Sequence, residues 1–347
     1  MLDSTAIRMQ AAPGRGLYES FYFRGTGADG KHAFWLKHNM LRHKGSRDVR
    51  LEGALVLFDR NANKTSAVYS CEVIDAQRFE RMSHQAIDWE HVALQLHNGS
   101  SVQIGRNYLS GHITGEGGSA RWDLQVQRSG MKLMPFPHES MYRLPWPSNK
   151  LLTCDCHVDF HGSLWAGELA FSGRFHGMNG HNWGTGHPHC YAYANCAQFR
   201  GRDSAYFDGF SAQVPLAGGL VVTPRLSVGA LHARGQWHIF NSLRRVAGHP
   251  VRRLDDYGWQ VELSNDSHRL EVDVDGASPQ ELPWVALNYE HPDRHRSPIK
   301  STKFASLKLR LLRRNGEVED ELFSDACELE TLLPANRPAT EGYVGVP

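Results

Sequence analysis

The sequence predicts an all-β protein built from antiparallel sandwiches or barrels. Two observations carry this: apolar and polar residues alternate with a period of two along many short runs, and regularly spaced turn signals separate those runs. A third observation agrees, since long amphipathic helical patterns are scarce. Trp122, Leu124 and Val126 alternate with Arg121, Asp123 and Gln125. Trp259, Val261 and Leu263 alternate with Gln260, Glu262 and Ser264, and Leu270, Val272 and Val274 with Glu271, Asp273 and Asp275. Leu307, Leu309 and Leu311 alternate with Lys308 and Arg310. Each pattern gives a strand one buried and one wet face. Turns are expected at Ala28-Asp29-Gly30, His97-Asn98-Gly99, Ser264-Asn265-Asp266, Asp275-Gly276 and Asn315-Gly316.

From the N-terminus, Tyr18 to Met40 reads as two strands around the Asp29-Gly30 turn. In the second, Trp35, Lys37 and Asn39 share one face and Phe34, Leu36, His38 and Met40 the other. Both faces carry bulk, so this strand is buried on both sides or lines a cavity. Ser83 to Leu96 holds either a short helix or the approach to a strand. Met134 to Asn149 carries four prolines, which cannot sit in a central strand, so an irregular strap is expected there. A strand follows over Leu151 to Phe160. From Leu333 the alternation ends, and the tail is expected to pack loosely.

At 347 residues the chain makes two domains or one large β unit. Its net charge of +1 supplies no basic field for nucleic acid. Met1 to Gly16 lacks the apolar core of a secretory signal, and no window approaches the ~20 apolar residues of a membrane span. The expected location is the cytoplasm, with contact to a membrane surface left open. Six cysteines do not make a disulfide scaffold. Cys154-Asp155-Cys156-His157 and His187-Pro188-His189-Cys190 offer soft ligands but match no zinc spacing. Cys154 and Cys156 would instead share a strand face with Val158 and Phe160, so no metal site is expected. No dinucleotide, Walker or Gly-x-Ser-x-Gly motif is present.

The most informative stretch is Gly177-Met178-Asn179-Gly180-His181-Asn182-Trp183-Gly184. Its glycines suit a left-handed turn or a close backbone approach, and the reading is a polar, aromatic corner. Downstream, the run from Cys190 to Phe210 reads as a hairpin turning at Arg200-Gly201-Arg202. On its returning strand, Tyr206 and Asp208 face the same side.

This glycine-rich run resembles the His-Asn-Trp-Gly segment of the lipocalin-like superfamily that holds the carotenoid 1,2-hydratases (hydroxyneurosporene synthases), AttH-like proteins and tocopherol cyclases. Tyr18 to Met40 is similar to the opening strand pair of the same group. The resemblance implies two lipocalin-like antiparallel β-barrels or half-open sandwiches packed side by side, over residues 1–176 and 177–347. It implies a hydrophobic small-molecule substrate (terpenoid, polyene or polyketide-like), no cofactor, and a ligand pocket at a barrel mouth or between the domains. His181 and Trp183 match the histidine and tryptophan that the hydratases are thought to use, and Tyr206 and Asp208 match the Tyr and Asp downstream. The residue before His181 is Gly180, where many relatives carry aspartate, which favours cyclisation or isomerisation of a terpenoid over carotenoid hydration.

The chemistry that suits these residues is protonation of an alkene. A carboxyl in a dry pocket has a raised pKa and stays a proton donor near neutral pH. Asp208 and Glu19 are the two candidate acids. Aromatic faces stabilise a nearby carbocation by about 0.5–2 kcal/mol each. Trp183, Tyr206, Tyr191 and Tyr193 could supply them, with Asn182, Glu19 and Trp35 completing the substrate contacts. Two other readings stand beside this one: a non-catalytic binder of lipid or pigment, and a pericyclic cyclase that guides its substrate by shape without an acid.

Overall fold

The computed structural model describes residues 3–9, 15–85, 88–96, 98–216, 221–333 and 345–346. Its first sheet holds β1 (Leu17–Gly27), β2 (His32–Arg42), β3 (Val49–Asp59), β4 (Lys64–Ile74), β5 (His91–Gln95), β6 (Ser101–Gly105), β7 (Tyr108–Gly115), β8 (Gly118–Arg128), β9 (Asn149–Ala166) and β10 (Leu169–Gly184). Neighbours run β4-β3-β2-β1-β10-β9-β8-β7-β6-β5, all antiparallel. The sheet curls on itself, and the Tyr69 amide of β4 donates to the Glu116 carbonyl in the β7–β8 turn at 2.9 Å. A helix, α1 (Ala76–Gln85), leads towards β5. The Ser83–Leu96 segment thus ends a helix and holds a strand, with residues 86–87 outside the described residues.

The second sheet holds β11 (Cys190–Cys196), β12 (Tyr206–Gln213), β15 (Leu226–Ala233), β16 (Gln236–Phe240), β17 (Val251–Leu254), β18 (Gly258–Ser264), β19 (His268–Asp275), β20 (Val285–Glu290), β21 (Arg296–Arg313), β22 (Val318–Leu332) and β23 (Gly345–Val346). Between β12 and β15, β13 (Pro215–Leu216) and β14 (Val221–Val222) pair with each other. Strand β23 pairs parallel with β20, so the end of the tail is tied down, and residues 334–344 lie outside the described residues.

The fold is all-β: two large curled antiparallel sheets packed together, in the manner of lipocalin-like half-barrels. Each curl encloses its own core. Phe21, Phe34, Leu36, Leu57 and Trp122 fill the first, and Phe207, Trp259, Leu263, Leu309 and Leu329 the second. A third apolar layer, with Tyr22, Trp35, Tyr193, Tyr206 and Phe304, lies between the sheets. Burying one such side chain contributes roughly 1.5–3 kcal/mol. The alternating runs behave as expected: Trp122, Leu124 and Val126 are buried while Arg121, Asp123 and Gln125 are exposed.

Two expectations need correction. The Gly177–Gly184 run is the end of β10 and makes no corner. None of its glycines has positive φ. They are required by close approach instead, since a Cβ on Gly177 would stand 1.9 Å from the Arg24 carbonyl oxygen and one on Gly184 2.1 Å from that of Ser148. The chain accordingly passes to the second sheet between Gly184 and Cys190, not at Gly177. The second correction concerns β9. Register slips on either side of Asn179 form a bulge that breaks the period-two phase. Cys154 therefore packs in the first core with Val158 and Phe160, and Cys156 turns to the layer between the sheets.

Candidate functional site: a cavity between the two sheets

The period of two puts Ser20, Tyr22 and Arg24 of β1 and Trp35, Lys37 and Asn39 of β2 on the face that meets the second sheet. That sheet answers with Tyr191 and Tyr193 (β11), Phe210 and Ala212 (β12), Leu287 and Tyr289 (β20) and Glu328 and Glu330 (β22). The two faces do not close completely and leave a cavity of 470 Å³, within the usual range for a small-molecule site, about 300–1,000 Å³. The proline-rich strap borders it through Phe136, Pro137, Met141, Trp146 and Pro147. One cation holds the strap in place: the Lys150 ammonium donates to the carbonyls of Met141, Leu144 and Pro147 at 2.6, 2.8 and 2.5 Å.

Among the residues expected to contact a ligand, Trp35, Asn182, Tyr191 and Tyr193 line the cavity, and Glu19 borders it. The four expected catalytic residues do not line it, and they fall into two separate groups. His181 and Trp183 project from β10 into the first core, with their rings 4.7 Å apart. Glu19, opposite Trp183 on β1, points the same way. Its carboxylate accepts from the Arg8 and Met9 amides at 2.7 and 2.6 Å, the Trp89 indole at 3.2 Å and His181 Nε2 at 2.8 Å. His181 Nδ1 faces the Ser4 carbonyl at 2.9 Å. This network ties the N-terminal segment to the sheet. The partners of the Glu19 carboxylate thus lie on the first-core side of the sheet, in the N-terminal segment, Trp89 and His181.

Asp208 and Tyr206 stand on the other side of the first sheet. Oδ2 of Asp208 accepts from the hydroxyl of Tyr193 at 2.9 Å, the amide of Asn195 at 3.1 Å, and the hydroxyls of Tyr206 and Thr153 at 3.3 Å each. Thr153 lies opposite Gly180, whereas its neighbour Leu152, opposite His181, packs in the first core. The sheet itself therefore separates Trp183 from Asp208. Burial pushes the Asp208 carboxyl up, against the opposing pull of Arg24 and of the Tyr193, Asn195 and Tyr206 hydrogen bonds. Tyr193 links this buried acid to the cavity: its phenol receives a hydrogen bond from Arg24 at 2.7 Å and donates to Asp208.

Several cavity residues were not singled out as site residues from the sequence. Arg24 is ion-paired with Glu328, which also pairs with Lys303 at 2.6 Å. Glu330 accepts from the Tyr191 and Tyr289 hydroxyls. Lys37 lies 3.9 Å from the Tyr289 ring centre and 4.6 Å from that of Trp35. The glutamates carried no clear signal, because β22 is rich in acidic residues along its whole length, with Glu319, Asp320, Glu321 and Asp325 before Glu328 and Glu330. Gly180 also gains a reason. Tyr22 pairs with it, and the Tyr22 hydroxyl stands 2.4 Å from where a Gly180 Cβ would be. Among the described residues, no group of three or more His, Cys, Asp or Glu side chains is gathered for a metal ion.

No family model and no curated protein matches this sequence. Solved structures do match its fold. An AttH candidate from Nitrosomonas europaea superposes with a TM-score of 0.52 at 10% identity, covering 91% of this chain and 92% of that one. CghA with Sch210972 gives 0.53 at 10% identity, covering 96% of each chain, and CghA alone gives 0.51 at 11% identity over 97% and 96%. The architecture is shared with both over nearly the whole length. At such identity the likeness carries the fold alone. No helix among the described residues is long and apolar enough to cross a membrane.

Proposed function

We propose that this protein is a cofactor-independent enzyme that folds a hydrophobic terpenoid or polyene chain in the inter-sheet cavity and cyclises or isomerises it. The observation that carries the reading is the cavity itself: 470 Å³ bounded by both sheets and the strap, with aromatic and aliphatic walls and a few placed polar groups. Holding a flexible chain in a reactive conformation can supply much of a cyclisation barrier without any reacting group.

Two routes fit that cavity. In the acid route, Asp208 in its protonated form, which burial favours, turns the Tyr193–Asp208 hydrogen bond round; the phenol gives its proton to an alkene carbon as it takes one from Asp208, and the cyclised or rearranged cation then loses a proton back to the Asp208 carboxylate through the same phenol. In the shape-directed route no proton moves. A specific observation favours the second. Resident cations already lie near most of the aromatic faces: Lys37 and Lys303 near Trp35, Lys37 near Tyr289, Arg24 near Tyr22 and Tyr193. A carbocation formed there would compete with them for the same rings.

The test starts from small molecules retained by the purified protein, identified by mass spectrometry and used to assay turnover. Asp208→Asn separates the routes: the acid route expects a loss of about 10²–10⁴ in rate, the shape-directed route almost none. Ala212→Trp, which fills the cavity, should abolish turnover on either route. A retained isoprenoid that is never converted would replace the enzyme reading with that of a binding protein.

A further inference from the structure

Four buried cations stand at the inter-sheet layer or beneath the strap that borders it, and three of them are matched by the protein. Arg24 has Glu328 and the Tyr193 hydroxyl. Lys303 has Glu328 and the Ser301 hydroxyl at 2.6 and 2.9 Å. Lys150 has its three strap carbonyls. Lys37 is the exception. It is 7% exposed, it lines the cavity, and its ammonium makes no hydrogen bond or ion pair among the described residues. Its contacts are the rings of Trp35 and Tyr289. The nearest carboxylates are engaged elsewhere: Glu330 by the Tyr191 and Tyr289 hydroxyls, Glu52 by Arg50.

A buried ammonium with three unused donors is costly unless something completes it. Aromatic faces supply attraction but no acceptor. The position of the amine, between two rings and open to an apolar cavity, is that of a head-group anchor at one point of a greasy chamber.

We propose that Lys37 is the anchor for a carboxylate, so that the cavity's ligand is an apolar chain carrying one acidic end. This rests on the reading of the cavity as a site for a hydrophobic chain and narrows its substrate class. The carboxylate would accept from the Lys37 ammonium while the chain lies along the walls built by Phe210, Leu287 and the strap. Burial pushes the Lys37 ammonium down to about 8, with Glu330 and Glu52 opposing the shift. The other groups facing it are Tyr22 on β1, Tyr289 on β20, Lys303 on β21 and His187 before β11. The anchor is therefore charged at neutral pH and loses its charge as pH rises past about 8, before any ligand is bound.

Isothermal titration of the full chain with farnesoic acid and with farnesol, which share a chain and differ at the head, tests this. The wild type should bind the acid about ten-fold or more tighter than the alcohol at neutral pH, the scale of a hydrogen bond to a charged group. That preference should fade above about pH 8. Lys37→Met should erase the preference by weakening the acid and leaving the alcohol, while Lys37→Arg should keep it. Equal binding of acid and alcohol by the wild type, or a preference that survives Lys37→Met, overturns the anchor and leaves the chain-binding cavity standing. Binding of neither probe overturns the cavity reading and the anchor with it. The wild-type comparison and its pH dependence need no variant, so a misfolded Lys37→Met would not protect the idea.

Discussion

Glu19 and Asp208 are both carboxyls with almost no exposure, each gathering several donors, yet their donors differ in kind. Two of Glu19's are main-chain amides, from Arg8 and Met9, joined by the Trp89 indole and His181. Its partners belong to the first core and to the segment folded against it. All of Asp208's are side chains, and one of them, Tyr193, forms part of the cavity wall. A carboxylate satisfied by backbone fixes architecture. A carboxyl satisfied by side chains at a cavity wall can exchange its partners without unfolding anything. The two acids that sequence reasoning could not rank are separated by that difference.

The largest expected effect follows directly. Glu19→Ala leaves His181 Nε2, the Trp89 indole and two main-chain amides without their acceptor in a closed core, and should cost about 3–5 kcal/mol, the scale of a broken buried pair. Asp208→Asn keeps an acceptor oxygen and should cost no more than about 1.5 kcal/mol, near the value of one hydrogen bond. Urea unfolding of both variants checks the contrast. Equal losses would mean that the two networks do the same job.

A second contrast lies in two adjacent residues on opposite faces of β2. Lys37 meets the cavity, whereas His38 faces the first core, its ring 5.9 Å from that of Trp122 and its Nε2 without a hydrogen-bond partner among the described residues. Burial pushes the His38 imidazole down from 6.5 to about 3. The unfolded chain takes up that proton near 6.5 and the folded one near 3. Between those values the unfolded state binds more protons, so stability falls as pH falls. By about pH 4 the loss from this group alone should be about 3 kcal/mol. Melting curves from neutral pH to pH 4 should therefore be steeper for the wild type than for His38→Leu. Parallel curves would place the acid sensitivity elsewhere.

These contrasts also show what the chain makes legible. Strand alternation is local, so the all-β class, the separate faces of Trp35-Lys37-Asn39 and Phe34-Leu36-His38, and the hairpin from Cys190 to Phe210 could be read residue by residue. Which strands become neighbours is not local. Tyr193 meets Arg24 only because the two sheets stack, and Glu330 meets Tyr191 only because β22 pairs with β11. The bulge at Asn179 reverses the side on which Cys156 stands relative to Cys154, and period-two reasoning has no means of seeing it. The resemblance groups His181 and Trp183 with Tyr206 and Asp208, and nothing in the local pattern tells on which side of a sheet each pair stands. In space a sheet divides them.

The smallest effect sharpens the same division between the two faces of β10. At Gly180 the strand turns its cavity face towards Tyr22, and a Cβ there would stand 2.4 Å from the Tyr22 ring carbon and hydroxyl. Gly180→Ala must therefore displace the phenol, at about 1–3 kcal/mol for overpacking, and towards the lower end because Tyr22 borders the cavity and has room to swing. The displaced ring would occupy ligand space, so farnesol affinity should fall with stability. Tyr22→Leu in the same chain removes the clashing atoms. The double variant should recover most of both losses, with a coupling of about 0.5–3 kcal/mol between the two sites. Additive losses would show that Gly180 is required by its backbone and not by the phenol that covers it.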